Sequence, residues 1–161
     1  MLSRLYFLLA FAIIHIITGA NAAYAQKPRT LKAIRVENAP EIDGRLTEPV
    51  WQDAPFASKF KQSSPSPGKK SSQKSEVKVL YDNVSVYIGA RLYDVAKDSI
   101  LKEITRRDQG GITDMFGVLI DTYDNDQDAF EFFVSAAGVQ IDARRTPTDR
   151  SVSWNAAWRS E

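Results

Sequence analysis

Two apolar runs facing each other across an acidic turn constrain this chain more than any other feature. In the stretch Asp114–Gly138, Phe116, Val118, Ile120 and Thr122 alternate with other residues before the turn Asp124–Asp128, and Phe130, Phe132 and Val134 do so after it. A period of two marks strands, because successive side chains leave a strand on opposite faces. Setting Tyr123 opposite Ala129 gathers these even-numbered residues on one face, the expected core face. The same register sets Asp121 directly across from Glu131 on the other face. Like charges opposed on a sheet are destabilising, so a cation, a basic side chain or a ligand's hydroxyls is expected to offset them. Asp and Asn are also ordinary turn residues, and a plain turn competes with any site reading of Asp124–Asp128.

A second hairpin is expected over Glu76–Asp82 and Val84–Asp94, joined at Asp82-Asn83, since Asn in a two-residue loop tolerates positive φ. That turn sets Tyr81 opposite Val84, Val79 opposite Val86 and Val77 opposite Ile88. Ile88, Ala90 and Leu92 then continue an inward face, while Lys78, Tyr87, Arg91 and Tyr93 stand outward. Thr30–Glu37 reads as an edge strand. Thr47-Glu48-Pro49 starts a short helix with Pro in its first turn, placing Leu46, Val50 and Trp51 on one face, with Trp51 a core plug. Lys61–Ser75 is rich in Ser, Pro and Lys and is expected to be an exposed, solvated loop. Ser99–Thr105 suggests a helical turn. A strand Val139–Ala143 follows a turn at Ala136–Gly138, Arg144–Ser153 is loop-like, and Trp154–Trp158 suggests a last strand with both tryptophans on one face. Many short strands and long loops with little helix imply an all-β fold, two stacked antiparallel sheets forming a β-sandwich. A sandwich ending at Glu161 leaves an edge unpaired, so the domain is expected to be incomplete at its C-terminus, part of a longer chain.

The N-terminus supplies the compartment. Arg4 precedes the apolar run Leu5–Ile17, and Ala23-Tyr24-Ala25 fits a small-x-small cleavage site. The run is short for a membrane span, so residues 1–25 are expected to be a secretory signal peptide and the protein to be exported to the periplasm, outer membrane or extracellular space. Residues 26–38 then form a leader and edge strand, and 39–161 the sandwich. Of 21 basic residues only Arg4 falls in the leader, so the mature part balances its 20 acidic residues and lacks the basic excess of a nucleic-acid binder. The one histidine, His15, lies in the leader, and there is no cysteine. Ser-His-Asp and Cys-His triads, typical zinc sites and His-ligated haem are therefore excluded for the mature segment. Carboxylate chemistry and hard-cation sites remain.

The run Ala39-Pro40-Glu41-Ile42-Asp43-Gly44 with Glu48, Trp51 and Ala54 resembles the opening of the carbohydrate-binding module family 9-like domain. Tyr81-Asp82, Tyr87-Ile88, Arg107-Asp108, Asp114, Phe116, Ile120-Asp121-Thr122-Tyr123, Phe130, Phe132, Val134, Gly138, Gln140, Asp142, Trp154 and Trp158 are similar to that family in order and spacing. The resemblance covers nearly all of residues 30–161. It implies a jelly-roll-like sandwich, usually with structural calcium, that binds polysaccharide or oligosaccharide. Such modules are commonly attached to glycoside hydrolases acting in carbohydrate catabolism, or precede an outer-membrane β-barrel; a C-terminal partner domain of either kind is expected. The chain departs from the family in lacking strands after Trp158.

Sugar binding needs flat aromatic faces for the ring and planar polar groups for the hydroxyls. The outward face of Tyr87, Arg91, Tyr93, Asp121 and Glu131 offers both, with Trp154 as a stacking or core residue and Trp158 as core. Arg91 alternatively bridges the two carboxylates as a plain ion pair. For calcium, which takes six to eight oxygens, Asp121, Asp124, Asn125, Asp126 and Asp128 are the candidate ligands. Asp121 and Glu131 at cross-strand distance also suit a retaining glycosidase pair, but a flat sheet face provides no cleft, so a non-catalytic module is expected. The alternative is a periplasmic scaffold domain that packs on an outer-membrane barrel and binds no sugar.

Overall fold

The first sheet, in the computed structural model describing residues 29–161, is built on β2 (Ser75–Tyr81). The signal peptide expected at residues 1–25 lies outside the described residues. β1 (Ile34–Arg35) pairs parallel to β2, and β3 (Val86–Leu92) antiparallel to it, in the order β1-β2-β3. The second sheet runs β4 (Met115–Ile120), β5 (Ala129–Ser135), β6 (Gln140–Arg145) and β7 (Arg150–Ser151), antiparallel throughout. The architecture is thus all-β with two sheets, of β-sandwich type. Among the described residues, helix is confined to α1 (Pro49–Asp53), which opens on a proline at its first position, and one 3-10 turn at Lys97–Ser99.

Both hairpin registers are displaced by two residues from those expected. Tyr81 pairs with Val86, Val79 with Ile88 and Val77 with Ala90. Asp82 explains the longer loop: its Oδ1 accepts the N–H groups of Val84 and Ser85, both at 2.8 Å, so the side chain closes the turn in place of ladder bonds. In the second hairpin Leu119, not Asp121, lies opposite Glu131, and Ile120 pairs with Phe130. Again an aspartate sits at the strand end, with Asp121 capping the loop. A slip of two preserves faces, so Phe116, Val118 and Ile120 still share a side with Phe130, Phe132 and Val134.

The core of the first sheet lies on the face expected to point outward. Val36, Trp51, Ala54 and Leu80 are buried together, with Ile34, Leu46, Val50 and Tyr87 packed against them. Gly89 makes this possible. A Cβ there would stand 2.8 Å from Leu46 Cδ2 and 2.9 Å from Trp51 Cζ3, so the missing side chain is the notch that α1 fills. Lys78, on the same face, reaches over to donate to the Trp51 carbonyl at the C-terminal end of α1. Trp51 is therefore the plug the helical spacing implied.

The C-terminal part differs from expectation in two places. Arg144 and Arg145 continue β6, and β7 lies within the segment expected to be loop. Residues 154–158, expected as a strand, are irregular. They nonetheless lie on the second sheet through their rings. Trp154 stacks on Phe130 at 4.5 Å, and Phe132 meets Trp154 and Trp158 edge-on at 5.9 and 5.5 Å.

Candidate functional site

The β6–β7 hairpin builds a concave, polar surface around Trp154. Its turn begins at Thr146-Pro147, the usual place for a proline whose φ is already set. Thr146 N–H donates to the Asp149 carbonyl at 2.8 Å, and Thr146 Oγ1 accepts the Asp149 N–H at 3.1 Å. Register pairs Phe130 with Arg144 and Arg144 with Ser151, so these three share a face with Trp154 stacked on it. The result is an open concavity of about 370 Å³ lined by Arg144, Thr146, Asp149, Ser151, Ser153 and Trp154. Among the described residues, the side chains of Arg144 and Asp149 have no hydrogen-bond or ion-pair partner. The walls thus offer one aromatic ring, a planar cation, a carboxylate and three hydroxyls. A second concavity, about 280 Å³ beside Pro40, Glu41, Asp43 and Glu48, has no aromatic ring in its wall.

A buried carboxylate holds the segment that follows Trp154. Asp142 is fully buried in β6, 0% exposed. Its Oδ2 accepts the Ala156 N–H at 2.6 Å; its Oδ1 accepts Trp158 Nε1–H at 3.3 Å and a hydrogen-bonded ion pair from Arg107. Arg107 also donates to Gln140 Oε1 at 2.7 Å, and Asp108 Oδ1 takes the Asp142 N–H at 3.1 Å. Arg107, Asp108, Gln140, Asp142 and Trp158, dispersed in sequence, therefore meet at one point.

The expected binding residues are divided between the sheets. Tyr87, Arg91 and Tyr93 belong to the first. Tyr87 packs on the Trp51 core and donates to Asp82 Oδ2 at 2.7 Å, which raises the phenol's pKa and lowers the carboxyl's. Tyr93 donates to Glu76 Oε2 at 3.1 Å beneath Lys74, and Arg91 lies across from Glu76. Asp121, Glu131 and Trp154 belong to the second sheet. Among the described residues no hydrogen bond, ion pair or ring contact joins the two groups.

Asp121 and Glu131 do not form an opposed pair, and Arg91 does not bridge them. Glu131 is 1% exposed and binds Arg145 through Oε1 and Arg150 Nε through Oε2, the latter at 2.6 Å. Burial pushes its carboxyl up, but the hydrogen bonds and charges of Arg150 and Arg145 outweigh that and leave it below the ordinary glutamate value. The two arginines, which a loop assignment for residues 144–153 hid, supply the basic partners that the charge logic required. Asp121 spends both oxygens on its own loop, taking the N–H groups of Tyr123 at 2.9 Å, Asn125 at 2.9 Å and Asp126 at 2.8 Å. These bonds, that of Asp126 foremost, hold its pKa below the usual aspartate range. Asn125 Oδ1 caps Gln127 and Asp128, while Asp124 and Asp126 take left-handed backbones with φ of 52° and 55°. Asp128 Oδ2 accepts Asn125 Nδ2–H at 3.3 Å, so three of the five candidate calcium ligands, Asp121, Asn125 and Asp128, spend side-chain atoms on the turn itself. Among the described residues no three acidic groups converge as a metal cluster.

Arg144, Thr146, Asp149, Ser151 and Ser153 are the site residues that sequence reasoning missed. The available signal was Thr146-Pro147 followed by Asp149, a turn signature compatible with a hairpin between two strands. No family model matches this chain, and no curated protein or solved structure matches it.

Proposed function

We propose that this chain is an exported, non-catalytic module that binds a neutral sugar residue of an oligo- or polysaccharide in the concavity around Trp154. The observation that carries the reading is the lining itself: one half-buried tryptophan beside Arg144, Asp149 and the hydroxyls of Thr146, Ser151 and Ser153. A pyranose ring presents an apolar face to an aromatic and a rim of hydroxyls to polar groups, and this wall offers both. One carboxylate lines the concavity, whereas glycoside hydrolysis uses two, so binding is the chemistry proposed.

The test is a glycan-array screen of the protein lacking residues 1–25, followed by calorimetry on any hit. Trp154→Ala and Arg144→Ala are each expected to weaken binding about tenfold, the worth of one aromatic or charge-assisted contact. Unaltered affinity in both variants would remove the site from this concavity. The screen is run with and without calcium, which the resemblance implies. A calcium-dependent rise in melting temperature, abolished by Asp124→Asn with Asp126→Asn, would assign the ion to that turn.

A second reading has its own observation. The open edges of β3 and β4 carry exposed apolar side chains, Val86 at 58%, Leu92 at 53% and Leu119 at 56%. Exposed apolar edges suit a scaffold packing on a partner. Silence on the array together with stable association with an outer-membrane barrel would favour that reading.

A further inference from the structure

We propose that the lysine-rich hairpin over residues 59–71 is a second binding site, for an acidic polysaccharide carrying carboxylate or sulfate groups. Charge distribution is the first observation. Between Ala54 and Ser75 the sequence has five lysines and no acidic residue, in a mature chain whose charges sum to zero with these lysines included. The rest of that chain is therefore net acidic, and this segment is its positive pole.

The second observation is order. The segment, which composition marks as a solvated loop, is a hydrogen-bonded hairpin. Lys61 bridges antiparallel to Lys70, Gln62 N–H donates to the Lys69 carbonyl at 2.8 Å, and Ser71 N–H donates to the Phe60 carbonyl at 3.1 Å. Gly68 N–H returns to the Gln62 carbonyl at 2.9 Å, and Gln62 Nε2 donates to the Lys70 carbonyl at 3.0 Å. A further bridge, Ala57 to Val77, roots the hairpin on β2.

The third observation is an unbalanced charge. Lys61 and Lys70 stand directly opposite, an arrangement that is destabilising on a sheet. Lys74 is neutralised by Glu76 at 2.6 Å. Among the described residues Lys61, Lys69 and Lys70 have no ion-pair or side-chain hydrogen-bond partner. An anion seated between Lys61 and Lys70 removes the repulsion and converts it into affinity.

The neighbouring side chains choose among polyanions. Phe56 and Phe60 are 50% and 40% exposed and supply ring faces, and Gln62, Ser63, Ser64, Ser66, Ser71 and Ser72 supply hydroxyls and amides. Hydroxyl-rich surroundings match sugar rims. A membrane-inserting loop would instead present Leu, Trp or further Phe at its tip, where this chain has Ser63-Ser64-Pro65-Ser66-Pro67-Gly68. The site is separate from the Trp154 concavity and does not depend on it.

The test measures binding to polygalacturonate and to heparin as a function of salt, with neutral dextran, duplex DNA and anionic phospholipid vesicles as controls. Taking each lysine near an anionic surface to be worth about fivefold, Lys61→Ala, Lys69→Ala and Lys70→Ala combined should weaken polygalacturonate or heparin binding about a hundredfold. The triple lysine-to-arginine variant should retain it, and Trp154→Ala should leave it unchanged. Melting temperature serves as the folding control and should not fall in the alanine variant, because these side chains are exposed and their mutual repulsion is removed. Binding to neither polysaccharide, equal binding to duplex DNA, or binding to vesicles alone would overturn the proposal. So would a triple alanine variant that binds as the unaltered protein does.

Discussion

Replacing Asp142 by alanine removes one carboxylate and strands three donors. Trp158 Nε1–H and the Ala156 N–H lose their acceptor, and Arg107 loses its buried counter-ion. Breaking a buried ion pair from one side costs about 3–5 kcal/mol. Arg107 is 41% exposed and keeps Gln140 Oε1 as a partner, so its own charge finds water and the lower end applies. We expect a loss of about 3 kcal/mol, or a fall of about 10 °C in melting temperature for a domain of this size. Urea unfolding should show a lower midpoint with an unchanged slope. Asp142→Asn keeps one oxygen for a backbone donor but turns an amide N–H toward another donor, and should lose about 2 kcal/mol. A local readout separates this account from general damage: hydrogen exchange at the Ala156 amide should accelerate more than exchange in β2 or β3. A variant within about 0.5 kcal/mol of the parent, or unaltered exchange at Ala156, would refute the reasoning.

Glu131 gives a pH prediction. Its folded pKa is depressed, so its contribution is present above the ordinary glutamate range and is lost as pH falls through the lower folded value. Acid titration of stability should show this limb, and Glu131→Gln should flatten it while costing about 2 kcal/mol at neutral pH; an unaltered acid limb in that variant would count against the assignment. Gly89→Ala should destabilise by about 1–3 kcal/mol through overpacking against Leu46 and Trp51. Gly110→Ala, where an added Cβ meets nothing within 4 Å, should be neutral by calorimetry, and equal losses in the two would refute the notch.

In the two hairpins, strand identity and face-sharing were legible because period-two patterning survives small register errors. Phe116, Val118 and Ile120 share a face with Phe130, Phe132 and Val134 whether or not the loop is two residues longer. Loop length was not legible, because Asp82 and Asp121 act as surrogate backbone acceptors and a side-chain cap leaves no periodic trace. The buried side of β2–β3 was misjudged for a related reason. Hydrophobicity pointed to Ile88, Ala90 and Leu92, whereas α1 docks where side-chain volume is absent, at Gly89. Of the residues lining the concavity, Trp154 stood out in the sequence by its ring. Arg144 and Asp149 did not, since a charged pair around Pro147 reads as loop unless the strands that flank it are already known. The ion-pair partners of Glu131 were hidden in the same stretch.

The two buried carboxylates of the second sheet differ in when their partners come into existence. Synthesis runs from the N-terminus and domains fold as they are completed. Arg107 is made before Asp142, so that carboxylate has a cation waiting. Glu131 precedes both Arg145 and Arg150. Until β6 and β7 have been added, the β4–β5 hairpin carries a charge that resists desolvation on the face it shares with Met115, Leu119 and Phe133. A nascent hairpin bearing that charge is protected from burying the wrong surface or pairing with a neighbouring chain. Arrival of the two arginines neutralises that charge, so Glu131 is buried only once β6 and β7 have joined the sheet.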